Sequence, residues 1–282
     1  MRASHWVIAG LIVVGGSACY EERNKSITLM NSGVEAGRQK LYESAVRDLK
    51  MAAQVDPSNH LAWFNLGMVY KDQKKWSDAA GAFNEAVKLE GDNATYHYEL
   101  GNAYQADNKL DLAGSEYGAS IKADGKLYKA HFRLGTVLEA QEKPKEADAE
   151  YRKAIEMNPR FASAYIKLGY LYYDHDYDKE SVQVFQNAVL ANDSDGEAHQ
   201  GLGLALQKSK QYEEAIKEFK KALELNPELF LTVYNLGITY KAMDDKKNAR
   251  EWLKRFIDNS GSKGGADLTK AASDSLYQLD AP

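Results

Sequence analysis

The stretch Trp63-Phe64-Asn65-Leu66-Gly67-Met68-Val69-Tyr70, followed by Ala79, Phe83, Ala86 and Val87, decides the fold. Its apolar residues fall at Leu61, Phe64, Met68 and Val69, then at Ala79, Phe83, Ala86 and Val87, which is the three-to-four-residue spacing of one helical face, repeated. Two amphipathic helices follow. Gly67 sits inside the first, where glycine costs about 1 kcal/mol relative to alanine, so it must permit something that a side chain would block. Close approach of the partner helix is the expected gain, with alanines facing the same gap and Phe83 filling the space around them.

Outward from Gly67, the same unit recurs along the chain. Gly33, Gly67, Gly101, Gly135, Gly169, Gly203 and Gly237 each follow the last by thirty-four residues. Leucine precedes six of them, with Ser32 the exception. Twelve residues after each stands a small residue (Ala45, Ala79, Ala113, Ala147, Ser181, Ala215, Ala249), and four further on a large apolar one (Leu49, Phe83, Tyr117, Tyr151, Phe185, Phe219, Leu253). Pro57, Pro159 and Pro227 mark unit ends, where proline stops a helix, and Gly91, Gly125 and Gly261 take the same slot elsewhere. Such units bury a core only by stacking on neighbours, and the last needs a polar-backed cap. After Gly264-Gly265, the segment Ala266 to Leu279 aligns Leu268, Ala272, Leu276 and Leu279 on one helical side and is read as that cap.

Trp63, Leu66, Gly67, Tyr70, Ala79 and Phe83 resemble the consensus of the tetratricopeptide repeat (TPR) without a gap. The resemblance covers residues 26–263 as seven repeats, the first degenerate at Leu29 and Ser32, and residues 264–282 form a capping helix and tail. It implies an all-α fold: an α-solenoid, a right-handed superhelix of seven 34-residue helix pairs plus the C-terminal cap. In TPR proteins the first helix of each pair lines a concave groove that holds a protein client. Carried over, the fifth repeat position gives Met30, Phe64, Tyr98, Phe132, Ile166, Gln200 and Tyr234, a mostly apolar stripe of the kind that marks a partner site. Asn102, Lys129, Arg133 and Asn235 would fix the client's register. The clamp by which chaperone-binding TPR domains grip a terminal carboxylate is missing, because Phe64, Met68 and Glu99 occupy three of its slots although Lys129 and Arg133 match the other two.

The N-terminus reads as an address. Met1 and Arg2 are followed by the apolar run Trp6 to Val14 and by Gly15-Gly16-Ser17-Ala18-Cys19. As a helix, Trp6 to Ala18 would span roughly 20 Å at ~1.5 Å per residue, short of a hydrocarbon core of about 30 Å. Residues 1–18 are therefore expected to be a secretory signal peptide. Gly16-Ser17-Ala18-Cys19 resembles the lipobox of bacterial lipoproteins, with Gly16 where leucine is usual. The resemblance implies acylation of Cys19, anchoring through a charged linker over residues 19–25, and sorting to the outer membrane in a bacterial envelope. An ordinary cleaved signal, giving a soluble secreted periplasmic protein, and an uncleaved short anchor are the alternatives.

Composition removes other classes. One cysteine in 282 residues closes neither a disulfide framework nor a cysteine-built zinc site, and a formal charge of −5 lacks the basic excess of a nucleic-acid binder. His97, His131 and His199 share the slot of Trp63, yet whole repeats separate them by roughly 20 Å, whereas zinc ligands lie about 2 Å from the ion. They are expected to pack rather than to bind metal. The cluster Asp174-His175-Asp176-Tyr177-Asp178 is expected to be a solvated turn. The glycines stand singly in helices rather than in a phosphate-cradling loop, and no nucleophile or paired-acid motif appears, so no cofactor and no catalysis are expected. What remains is a non-catalytic protein scaffold. TPR lipoproteins similar in layout include pilotins that help to assemble the type IV pilus secretin and adaptors of peptidoglycan hydrolases.

Overall fold

A computed structural model describes residues 18–259 and 265–280, and within them the apolar periodicity becomes fifteen α-helices and no strand. They are α1 (Ala18–Arg38), α2 (Tyr42–Val55), α3 (His60–Asp72), α4 (Trp76–Leu89), α5 (Ala94–Ala106), α6 (Leu110–Ala123), α7 (Tyr128–Ala140), α8 (Pro144–Met157), α9 (Ala162–Asp174), α10 (Asp178–Ala191), α11 (Gly196–Lys208), α12 (Tyr212–Leu225), α13 (Phe230–Ala242), α14 (Lys246–Asn259) and α15 (Ala266–Asp280). The expected signal peptide lies outside the described residues except for Ala18, as do Gly261 and Gly264. No helix among the described residues is long and apolar enough to cross a membrane.

The chain forms two compact units, residues 1–147 and 148–282. In the first, α1 to α7 pack in chain order, each on the next; in the second, α9 to α15 do the same. Within each unit the helices therefore stack repeat upon repeat, the arrangement of an α-solenoid.

Two turns punctuate every repeat. Between the paired helices, Lys40, Lys74, Asn108, Glu142, Asp176, Lys210 and Asp244 hold φ between 58° and 61°. The next residue donates its N–H to a carbonyl five positions back, as Lys75 does to Tyr70 and Gln211 to Leu206, both at 2.9 Å. This is the Schellman closure, which satisfies carbonyls that a helix end leaves open. Between repeats, Asp56, Asp124, Asn158, Asn192 and Asn226 each accept at Oδ1 from the backbone N–H two residues on, at 3.0–3.2 Å. Pro57, Pro159 and Pro227 follow three of these side chains directly, in the turns where they were expected.

The repeat glycines do admit the partner helix. A Cβ on Gly67 would lie 2.5 Å from the Phe83 ring and one on Gly203 2.5 Å from Phe219, with Gly101 and Gly169 facing Tyr117 and Phe185 in the same way. Phe83, Tyr117, Phe185 and Phe219 are fully buried. At the C-terminus, Ala272 and Leu279 are buried, and Leu268 and Leu276 pack on the cluster around Leu253 and Phe256. The cap is thus observed as α15.

One expectation is corrected. Tyr20 to Lys25 is not a linker separate from the first repeat, because α1 runs unbroken from Ala18. No glycine or proline interrupts residues 18–32. Ser26, fully buried, ties this helix down by donating to the Ala52 carbonyl at 2.8 Å and accepting from Asn59 Nδ2 at 2.9 Å.

Candidate functional site

The first helices of the pairs are α1, α3, α5, α7, α9, α11 and α13, and the expected client residues lie on them. Met30, Phe64 and Ile166 are buried, at 0%, 3% and 6% exposure. Phe64 stacks on Tyr96 with ring centroids 4.8 Å apart and leans on Phe83 at 5.6 Å. These three belong to the inter-helix core, which corrects the expectation that they contact a client. Tyr98, Phe132, Gln200 and Tyr234 are half-exposed. Tyr98 packs against Tyr117 at 5.9 Å and Tyr234 against Phe256 at 5.3 Å, and each keeps partial exposure beside that contact.

The polar residues of this face are tied together. Lys71 Nζ donates to Glu99 Oε2 at 2.5 Å, and Asn102 Nδ2 donates to the same oxygen at 3.3 Å. The Tyr117 hydroxyl lies 2.9 Å from Asn102 Oδ1 and 2.8 Å from Gln105 Oε1, one proton facing two acceptors. Gln105 Nε2 in turn donates to Thr136 Oγ1 at 3.0 Å, and Thr136 to the Arg133 carbonyl at 2.7 Å. Burial pushes the Tyr117 hydroxyl well above the usual phenol range. Asn102 therefore belongs to an internal chain running from α3 to α7, while Lys129 is exposed and Arg133 and Asn235 are half-exposed. Glu99, held by Lys71, would repel a ligand carboxylate, in keeping with the missing clamp.

Several of these bridges start from one recurring place. Residues 71, 105, 173, 207 and 241 stand at the same point of the first helices α3, α5, α9, α11 and α13. Lys71 reaches Glu99, Gln105 reaches Thr136, Gln207 reaches Thr239 Oγ1 at 2.8 Å, and Lys241 reaches Gln278 of the cap at 2.6 Å. At Tyr173 the direction reverses: Lys208 of the next repeat donates to the Tyr173 carbonyl at 2.6 Å, while its ammonium lies 4.6 Å from that ring's centroid. The same ammonium contacts Asp176 Oδ1 at 2.6 Å and Asp178 Oδ1 at 3.2 Å. The acidic turn over Asp174 to Asp178 is solvated as expected, with Asp174, His175, Asp176 and Tyr177 exposed, and Lys208 bridges to it from outside.

The histidines act as braces as well as packing. His97 Nδ1 lies 2.6 Å from Glu116 Oε2 and its Nε2 2.8 Å from the Gly91 carbonyl. His199 repeats this, 2.6 Å from Glu218 and 3.1 Å from the Asp193 carbonyl. Each ring joins both helices of its pair to the preceding turn. Sequence reading missed this link, although a glutamate stands nineteen residues after each of His97, His131 and His199, and none does after Trp63, Tyr165 or Val233 in the same slot. Among the described residues, no group of three or more His, Cys, Asp or Glu side chains is placed to hold a metal.

Paired helices at a fixed step, glycine seats for a large buried ring or leucine, and bridged first-helix faces define a helical-repeat protein of the solenoid class. The chain belongs to the tetratricopeptide repeat family. Models described as tetratricopeptide repeat match residues 31–87, 128–161, 196–229 and 232–261, and a TPR repeat model matches 67–108. Comparison with curated proteins found no match. Among solved structures, a tetratricopeptide repeat protein from Parabacteroides merdae is 16% identical over 91% of this chain and 99% of its own, with a TM-score of 0.65. Pseudomonas aeruginosa PilF is 16% identical over 78% of this chain and 98% of its own, also at 0.65. YrrB, described as a TPR protein with an unusual peptide-binding site, is 20% identical over 66% of this chain and 95% of its own, at 0.54. At these identities the likeness is one of fold.

Proposed function

We propose that the protein is a membrane-anchored, non-catalytic TPR lipoprotein that holds a segment of a client protein against its first-helix face and so assists assembly of an envelope complex such as a type IV pilus secretin. The observation that carries the reading is the state of that face. In the first unit Tyr98 and Phe132, and in the second Tyr234, are half-exposed, while much of the polar lining of the first helices in each unit is already satisfied internally. An apolar segment can therefore dock without displacing strong hydrogen bonds. Peptide binding by the structurally similar YrrB supports the mode.

Anchoring rests on Cys19 after the short apolar run Trp6 to Val14. Since α1 is continuous from Ala18, the seven-residue step from Cys19 to buried Ser26 would place the first repeat within roughly 10 Å of the acyl chains, at ~1.5 Å per residue. The client would then be met close to the bilayer.

The test is affinity capture from membranes of the native host, comparing the native chain with Tyr98→Ala/Phe132→Ala/Tyr234→Ala and with Cys19→Ser. The triple variant should fold and lose its principal client, and Cys19→Ser should lose acyl label and leave the membrane fraction on a high-salt wash that retains the native chain. Retention of every partner by the triple variant would overturn the client-binding face. Salt-resistant membrane retention of Cys19→Ser, or absence of acyl label on the native chain, would overturn the anchor.

A further inference from the structure

The second helices of the seven pairs occupy equivalent places, and their charges are nearly uniform until the last. Each of α4, α6, α8, α10 and α12 carries one more acid than base, and α2 is balanced. In α14, Lys246, Lys247, Arg250, Lys254 and Arg255 stand against only Glu251 and Asp258, a formal charge of +3 in a chain of −5. Every other second helix has an acid in its first turn, where the macrodipole favours one, whereas α14 has none and begins with two lysines. Asp245, immediately before α14, accepts from the Asn248 N–H at 3.1 Å and answers this helix start, so the excess of cations is distributed along the helix.

The cations are presented outward. Ala249, Leu253 and Phe256 are buried on one side of α14; Lys247, Lys254 and Arg255 are exposed away from it, with Glu251 and Asp258 exposed among them, and Lys246 is exposed at the helix start. None of these four forms an ion pair among the described residues. At the border Trp252 is half-buried, with the Arg255 guanidinium 4.9 Å from its ring centroid. From Lys246 to Arg255 the stripe extends about 13 Å, at ~1.5 Å per residue. Charges spread along a helix side do not converge on a single small anion. They match a surface bearing many phosphates, and tryptophan beside basic residues on an amphipathic helix is suited to the headgroup layer.

We infer that the exposed face of α14 is a docking surface for an anionic lipid bilayer, a contact that does not depend on acylation of Cys19. The full chain carrying Cys19→Ser is titrated with vesicles of phosphatidylethanolamine and phosphatidylglycerol, and separately with vesicles of phosphatidylcholine. Binding to the anionic vesicles alone, weakening as salt rises, is the expected result. Adding Lys247→Glu/Lys254→Glu should weaken it by about 25-fold or more, since each basic residue near an anionic surface contributes roughly fivefold. Lys217→Glu/Lys221→Glu in α12 makes the same formal change elsewhere and should leave binding within about twofold of the parent. All three proteins share the apolar leader, and circular dichroism checks that each is folded. The assignment is overturned by no binding to anionic vesicles at low salt, by equal losses in the two charge-reversed variants, by binding that ignores lipid charge, or by binding to soluble polyglutamate in place of vesicles.

Discussion

Gly67 and Gly118 are both helical glycines, and they place opposite demands on their neighbours. A Cβ at Gly67 would meet the Phe83 ring at 2.5 Å, whereas one at Gly118 would meet nothing within 4 Å. Alanine favours a helix over glycine by about 1 kcal/mol at either site. At Gly67 that gain is outweighed, because overpacking a filled core costs roughly 1–3 kcal/mol and Phe83 is fully buried. Gly67→Ala should therefore lower stability by about 1–2 kcal/mol and Gly118→Ala raise it by up to about 1 kcal/mol, read from the midpoints of guanidinium unfolding. Equal shifts of one sign would show that propensity, not helix approach, governs these positions. The sequence alone separated the two classes, since Gly67 falls in the thirty-four-residue register and Gly118 does not. It could not tell Phe64 from Tyr98. Both occupy the fifth repeat position, and burial of Phe64 depends on Tyr96 stacking over it from the next repeat, a contact that no single repeat contains.

Lys208 works at the scale of elements, joining the end of α11 to the turn between α9 and α10 through Tyr173, Asp176 and Asp178. The ammonium's hydrogen bond and charge hold the Asp176 carboxyl below its ordinary value of 3.8, and the same bond raises the Lys208 ammonium above 10.5. For the depressed carboxyl, the bridge's stabilisation is present above its unfolded value and is lost as pH falls through the folded one. For the raised ammonium it is present below the unfolded value and lost as pH rises through the folded one. Lys208→Met should therefore be less stable than the native chain near neutral pH. The gap should narrow both from about pH 5 to about pH 2 and above about pH 10.5, measured as the difference in urea midpoints. A gap independent of pH would assign the loss to the stem and its contact with the Tyr173 ring instead. This bridge was hidden in the sequence because its partners lie thirty-two and thirty residues apart, just short of the repeat length, and in different parts of it. The His–Glu braces were hidden less deeply, since their nineteen-residue spacing recurs wherever the slot holds histidine.

Across the whole molecule, the repeated glycine seats, Schellman turns and bridges act over one repeat or between neighbours, and that sets how damage should spread. Stability in such a chain approximates a sum of repeat terms and nearest-neighbour interfaces. A lesion in one pair should thus lower protection there and fade with distance along the stack. Gly203→Ala forces a Cβ against Phe219, whose ring shares a buried cluster with Phe185, Leu202 and Leu236. Amide hydrogen exchange should quicken most in α11 and α12, less in α9, α10, α13 and α14, and by under about twofold in α1 to α4, which lie in the other unit. Uniform acceleration through all fourteen paired helices would instead mean that the chain opens as one cooperative body. The distinction bears on the proposed role: a scaffold whose units open separately can let go of a client from one set of first helices while another set keeps its fold.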